Sequence, residues 1–314
     1  MTAVVSQASI RPNFFIIGAP RCGTTALSTY LAEHPRIGFS RPKETQFFCT
    51  DLPGIGFVTD DPDEYIKLCF GHCAGKDHLA IGEGSVWNLF SQKAVGKILS
   101  FNPNARFIIM VRNPTDLCVA IYEKRREMLQ EDAPTFEQAW RLEEERRSGR
   151  NLPTHYRKEI GVHGYRDVAS LGEQVARAYA QIPESQRLTI VFDDFVADTG
   201  GVYAKVLAFL GVPNDGRTDF SRVNEGQEIR YPKLWAIVWG TMMRALPLLG
   251  PIKRLFGVSN VNVYPRLARL FLGKRSQRPS LSDALRAEMR AFFDADIRRL
   301  SAVIERDVTS WTRS

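Results

Sequence analysis

Short apolar runs, each bounded by Gly, Pro, Asn or charged residues, alternate along the chain with stretches whose apolar residues recur at helical spacing. Asn13–Ile17 (NFFII) lies between Pro12 and Gly18 and reads as a buried strand, and Thr24–Glu33 follows it with a helical period. Ile37–Phe39, Leu79–Gly82, Arg106–Val111 (RFIIMV) and Leu188–Phe192 (LTIVF) are further expected strands, separated by amphipathic stretches such as Gln92–Ser100 and Val202–Leu210. This alternation predicts an α/β fold, a central parallel sheet flanked by helices on both faces. No internal repeat, low-complexity tract or Pro/Gly/Ser-rich linker divides the sequence, so residues 1–314 read as a single domain, with residues 1–11 expected to be flexible. Thr135–Arg150 carries charges at adjacent positions all round and predicts a solvated helix.

Composition agrees with a globular chain: 314 residues, 44% hydrophobic and 25% charged, enough to bury a sizeable core. No run of about eighteen uncharged apolar residues occurs, which excludes a polytopic membrane protein. The first residues lack a basic region and a small-residue cleavage site, so a cytoplasmic location is expected. The net charge of +7 is local: ten of the forty-two Lys and Arg, and no Asp or Glu, fall in 229–282. Such a segment suits an anionic ligand or surface more than nucleic acid, which draws on cations spread along a face. The five cysteines are irregularly spaced in a chain too long to need staples, and are expected to be reduced. Cys69 and Cys73 with His78 lack a second ligand pair, so no metal site is expected.

Gly18-Ala-Pro-Arg-Cys-Gly-Thr-Thr25 directly follows the first strand and opens a helix, the arrangement in which backbone N–H groups surround a phosphate. A nucleoside-triphosphate loop of this spacing continues with Lys; here Thr24 takes that place and the cation, Arg21, stands inside the loop. A shorter anionic chain then fits the helix N-terminus and the hydroxyls of Thr24 and Thr25, with the Arg21 guanidinium beside a transferring group. Arg112 falls at the C-terminal end of an expected strand, where ligands of open α/β sheets collect, and Pro114 can start the next helix.

GAPRCGTTAL resembles the 5′-phosphosulfate loop of sulfotransferases that use 3′-phosphoadenosine 5′-phosphosulfate (PAPS), and residues 106–122, RFIIMVRNPTDLCVAIY, resemble their 3′-phosphate strand and helix. The resemblance extends through KETQFF at 43–48, GEGSVW at 82–87, LTIVFDDF and LGKRSQRP, and is strongest toward bacterial relatives of glycan (heparan-type) sulfotransferases. It implies a P-loop-like phosphosulfate-binding loop in which Arg21, Cys22, Gly23, Thr24, Thr25 and Arg112 bind the nucleotide, and Lys274, Arg275 and Arg278 close over it. Arg21 would also be catalytic. The family's Ser eight residues after this Arg is Ala120 here, and its usual Pro is Val86.

Transfer to a hydroxyl needs a base, and the resemblance assigns it to Glu44, with Lys43 an unspecific neighbour. Glu83 and Ser85, at another strand end, are expected to orient Arg21 or contact the acceptor. His163 belongs to a basic loop with His155, Arg157 and Lys158 that is expected to face an anionic acceptor. Leu234–Val258, with two tryptophans, three cations and no acid, reads either as core or as a lid in peripheral contact with a membrane surface. The expected partner is thus a small-molecule, glycan or lipid acceptor. Two other functions remain open on the residues alone: a small-molecule kinase using the Gly18–Thr25 loop, and a non-enzymatic nucleotide or membrane-surface binding protein.

Overall fold

The computed structural model describes residues 10–52, 59–128, 130–153, 164–221, 227–229, 272–275 and 280–313. Five strands, β1 (Phe14–Gly18), β2 (Ile37–Phe39), β3 (Ala80–Glu83), β4 (Arg106–Val111) and β5 (Arg187–Val191), form one sheet in the order β2-β3-β1-β4-β5. Every pairing is parallel, with Phe14 opposite both Gly82 and Arg106. Phe14, Phe15, Ile16 and Ile17 are wholly buried, which is why β1 reads as a continuous apolar run and not as an alternating one. Each expected strand is present, displaced by no more than one residue at either end.

Strand order fixes where a ligand can enter. The chain leaves β1 toward β2 on one side through α1 (Thr24–Glu33), whereas it leaves β4 toward β5 on the other. Their C-terminal ends therefore flank the topological switch point, the crevice in which open α/β sheets bind ligands. Right-handed crossovers place α1 and α3 (Ala94–Phe101), which carries the chain from β3 to β4, on opposite faces. The helix after β4, α4 (Pro114–Glu127), starts as Pro114 foretells, with the Asn113 side chain accepting from the Thr115 N–H.

Outside the sheet, α11 (Asp283–Val303) buries Leu285, Met289, Phe293, Ile297 and Leu300, one stripe of a long amphipathic helix, and packs on α8 (Leu171–Tyr179). The Asp296 carboxylate accepts from the Gly172 and Glu173 N–H groups at 2.7 and 2.9 Å, closing the otherwise open start of α8.

The expected solvated helix over 135–150 is instead two short helices, α5 (Phe136–Arg141) and α6 (Glu143–Arg147), with a buried face. Phe136 and Trp140 are in the core, and Arg146, only 4% exposed, grips Glu131 with two bonds of 2.6 and 2.8 Å while Tyr165 donates to the same carboxylate. A charge run looks solvated when its partners come from elsewhere in the chain. All five cysteines are free and buried, and among the described residues no helix is long and apolar enough to cross a membrane.

Candidate active site

The loop after β1 enters α1 through Gly23, whose left-handed φ of 89° strains any other residue and where a Cβ would crowd the rings of Phe195 and Phe192 at 3.1–3.2 Å. The N-cap of α1 is Gly23, and among the described residues no side chain is seen to cap the helix, so its first N–H groups can meet an anion. Arg21 sits at φ 62°, an uncommon conformation for a non-glycine residue. Its Nε is buried without a hydrogen-bond partner among the described residues. An unsatisfied buried guanidinium N–H is costly, and an incoming oxyanion satisfies it. Thr24 is buried and Thr25 half-buried at the same helix start. Cys22 is fully buried and burial pushes its thiol up to about 12, so this residue offers a ligand its backbone and not a thiolate.

Arg112 leaves the end of β4 and reaches across the crevice: its Nη1 donates to the Arg21 carbonyl at 3.1 Å, and its guanidinium lies over the Phe192 ring, 4.5 Å from the centroid. The two sequence motifs, ninety-one positions apart, are thus one structural unit.

On the opposite flank, the segment after β2 brings Glu44 to this loop. Lys43 Nζ donates to Glu44 Oε1 at 3.0 Å and stands 3.5 Å from Thr24 Oγ1, so one ammonium joins the candidate base to the start of α1. Gln46 Nε2 holds the other carboxylate oxygen of Glu44 at 3.1 Å. In the sequence Lys43 is an unspecific neighbour of Glu44 and Gln46 has no role; the signal lies in the Pro-Lys-Glu-Thr-Gln order, but only the fold shows that Lys43 turns toward Thr24.

Glu83 and Ser85, expected to orient Arg21 or to meet the acceptor, are wholly buried and bond to other partners. Glu83 accepts from Thr45 Oγ1, from Ser85 Oγ at 2.9 Å and from Asn88 Nδ2 at 3.0 Å. Burial pushes its carboxyl up to about 6, against the pull of those three bonds. The sign follows: a carboxyl raised in the folded state adds stability below its unfolded value near 4.5, and that contribution is lost as pH rises through 6. Its size is about 2 kcal/mol, the free energy of moving the carboxyl from 4.5 to about 6. Denaturant titrations of wild type and Glu83→Gln should therefore show their stability gap moving by about 2 kcal/mol in favour of Gln between pH 4 and 7. A gap that is flat with pH contradicts the shift.

Lys274 and Arg275 lie on β7 (Leu272–Arg275), which pairs antiparallel with β6 (Gln227–Ile229), and β6 runs beside α4, the helix that follows Arg112. His155, His163, Arg278 and the segment 234–258 lie outside the described residues. No group of three or more His, Cys, Asp or Glu side chains suited to a metal occurs among the described residues.

Comparison with known proteins agrees with this fold. The chain is 29% identical over 150 residues to a human protein named carbohydrate sulfotransferase 15, the match covering 35% of this chain and 27% of that protein. It is 27% identical over 112 residues to the membrane-associated sulfotransferase kil1 of Dictyostelium discoideum, covering 35% of this chain and 22% of that one. The match thus spans about a quarter of the length of these relatives. Among solved structures, a sulfotransferase from Alicyclobacillus acidocaldarius superposes with a TM-score of 0.68 at 27% identity, covering 96% of this chain and 99% of that one. The family model described as the sulfotransferase domain matches residues 11–226, well over half of the chain, and the chain belongs to that family.

Proposed function

We propose that this chain moves a sulfuryl group from PAPS to a hydroxyl or amine of an acceptor, with a carbohydrate the first class to test and lipids and secondary metabolites next. The observation that carries this reading is the position of Lys43, whose ammonium touches both Thr24 at the anion loop and Glu44, so that a donor loop and a base meet at one point. PAPS, when bound, supplies the sulfuryl group and a phosphate leaving group. The backbone from Cys22 to Thr25 and the hydroxyls of Thr24 and Thr25 would hold its 5′ end, and Arg112 its 3′-phosphate. Arg21 has a buried N–H to offer the charge that grows on the leaving oxygen. Glu44 takes the acceptor proton, held between Lys43 and Gln46. Similarity to the human carbohydrate sulfotransferase 15 supports a carbohydrate acceptor. Lys274 and Arg275, on a ribbon beside α4, are proposed to close over the nucleotide.

Adenosine 3′,5′-bisphosphate (PAP) should raise the melting temperature selectively over ATP, and labelled PAPS offered with carbohydrate, lipid and small-alcohol panels should label one class. Stabilisation by ATP instead of PAP supports the kinase reading; tight PAP binding with no labelled product supports the non-enzymatic one.

Position 120 tests the 3′-phosphate assignment in the opposite direction. Ala120 is buried on α4, so a hydroxyl placed there needs a partner. With a phosphate in reach the bond is worth about 1.5–3 kcal/mol, and calorimetry should find PAP bound by Ala120→Ser about tenfold or more tightly. Unchanged or weaker binding removes the phosphate from this part of α4.

A further inference from the structure

The segment that carries Glu44 is tied to the end of β3 by a buried polar cluster that the transfer chemistry leaves unexplained. Ser85 Oγ accepts from the N–H groups of both Thr45 and Gln46, at 3.0 and 2.9 Å, and donates to Glu83 Oε2. Thr45 Oγ1 donates to that same carboxylate oxygen and accepts from the Phe47 N–H at 3.3 Å. Asn88 Nδ2 holds the other oxygen of Glu83 and its Oδ1 accepts from Cys49 Sγ at 3.0 Å. Lys43 is fixed by its backbone as well, its carbonyl accepting from Gly84 N and Ser40 Oγ at 3.1 and 2.9 Å. Lys43, Thr45 and Gln46 are thus bonded directly to the β3 end and Phe47 through Thr45, whereas Glu44 is held only through the side chains of Lys43 and Gln46.

The cluster does more than close a loop. Holding a loop needs no carboxylate, and burying one is expensive enough that an apolar anchor of the same volume is often neutral or better. A fully satisfied buried network, by contrast, selects a single geometry. The geometry selected here includes a left-handed Gln46, at φ 57°, and that backbone turn brings Gln46 Nε2 back onto Glu44 Oε2. Glu83, Ser85 and Thr45 are all at most 2% exposed, so none of them touches an acceptor directly.

We propose that Glu83, acting through Ser85 and Thr45, is a positioning residue that sets the Gln46 turn and thereby aims the Glu44 carboxylate at the acceptor proton. This rests on Glu44 being the base. The cluster replaces direct acceptor contact as the role of Glu83 and Ser85, and it makes Gln46 the last link to the reacting atoms.

A double-mutant cycle between Ser85→Ala and Glu44→Gln tests it, with sulfate release from labelled PAPS in a single turnover as the readout, water serving as acceptor. Ser85→Ala should lower that rate by about tenfold to a hundredfold, the scale of an ångström of misplacement, while PAP affinity by calorimetry stays within about twofold. In the Glu44→Gln background the same change should cost less than about twofold, because the group it aims is already gone. Hydrogen exchange supplies a readout free of activity: the Thr45 and Gln46 amides should lose protection in Ser85→Ala while the core of β1 keeps its own. Thr45→Val removes the other arm and should repeat the pattern if Ser85→Ala is too unstable to assay. A full rate in Ser85→Ala, a loss that adds fully to that of Glu44→Gln, or a parallel fall in PAP affinity overturns the positioning role. A normal rate in Glu44→Gln alone overturns the base assignment and the positioning role with it, and is told apart by that single variant.

Discussion

Glu44→Gln is expected to slow sulfuryl transfer by about 10²–10⁴-fold while PAP binds as before. The substitution keeps the shape of the side chain, and an amide oxygen can still accept from Lys43 or Gln46, which flank the carboxylate at 3.0 and 3.1 Å. What it removes is the ability to take a proton. Because a base acts on the acceptor and not on the nucleotide, the loss should appear in kcat and in kcat/KM and not in the PAP dissociation constant. Lys43 loses its ion-pair partner in the variant, but a pair of which one member is about a third exposed is worth little on its own, so stability should change by less than about 1 kcal/mol. Steady-state kinetics with the acceptor class found by labelling, together with calorimetry for PAP, measure both sides of the prediction. Retained activity moves the base elsewhere, and Glu83, wholly buried, is no substitute; His155 and His163 come next.

The parts of this molecule that sequence makes plain are those whose information is local. Phe14–Gly18 and residues 107–111 are buried on both faces, so each appears as an unbroken apolar run closed by a glycine or a charged residue. The G-x-x-x-x-G spacing at 18–23 likewise depends on backbone conformations that particular residues favour, as Gly23 does at φ 89°. What stayed hidden depends on partners far away in the chain. Glu83, at a strand end, reads as a residue that orients Arg21 or contacts the acceptor, and its bond to Thr45, thirty-eight positions away, is not visible in the sequence. Arg146 belongs to a charge run that reads as solvated, and the carboxylate that buries it, Glu131, precedes that run. Lys43 gains its meaning from Thr24, nineteen positions earlier in the chain. Residue type and spacing state which chemistry is available, whereas which copy of a side chain performs it is decided by the tertiary fold.

Arg21→Ala is expected to lower turnover by about a hundredfold, ~3 kcal/mol of lost transition-state stabilisation, with a much smaller effect on PAP affinity. The structure makes this an unusually clean substitution. The Arg21 carbonyl is held by Arg112 Nη1 at 3.1 Å and depends on no atom of the Arg21 side chain, so the link between the two motifs survives truncation. The left-handed φ of 62° is as unfavourable for Ala as for Arg, so backbone strain cancels in the comparison. Nor does folding lose a bond at Nε, which has no partner among the described residues; relieving a buried orphan donor should leave stability unchanged or slightly higher. A thermal melt that rises or holds while turnover collapses is therefore the expected signature, and it separates a catalytic guanidinium from a structural one. Arg21→Lys refines the test, since an ammonium restores the charge but not the planar fork, and partial recovery of rate measures how much of the effect is charge alone. Unchanged turnover in Arg21→Ala removes this side chain from the mechanism and transfers the burden of stabilising the leaving oxygen to Lys43, whose ammonium stands 3.5 Å from Thr24 Oγ1 at the start of α1.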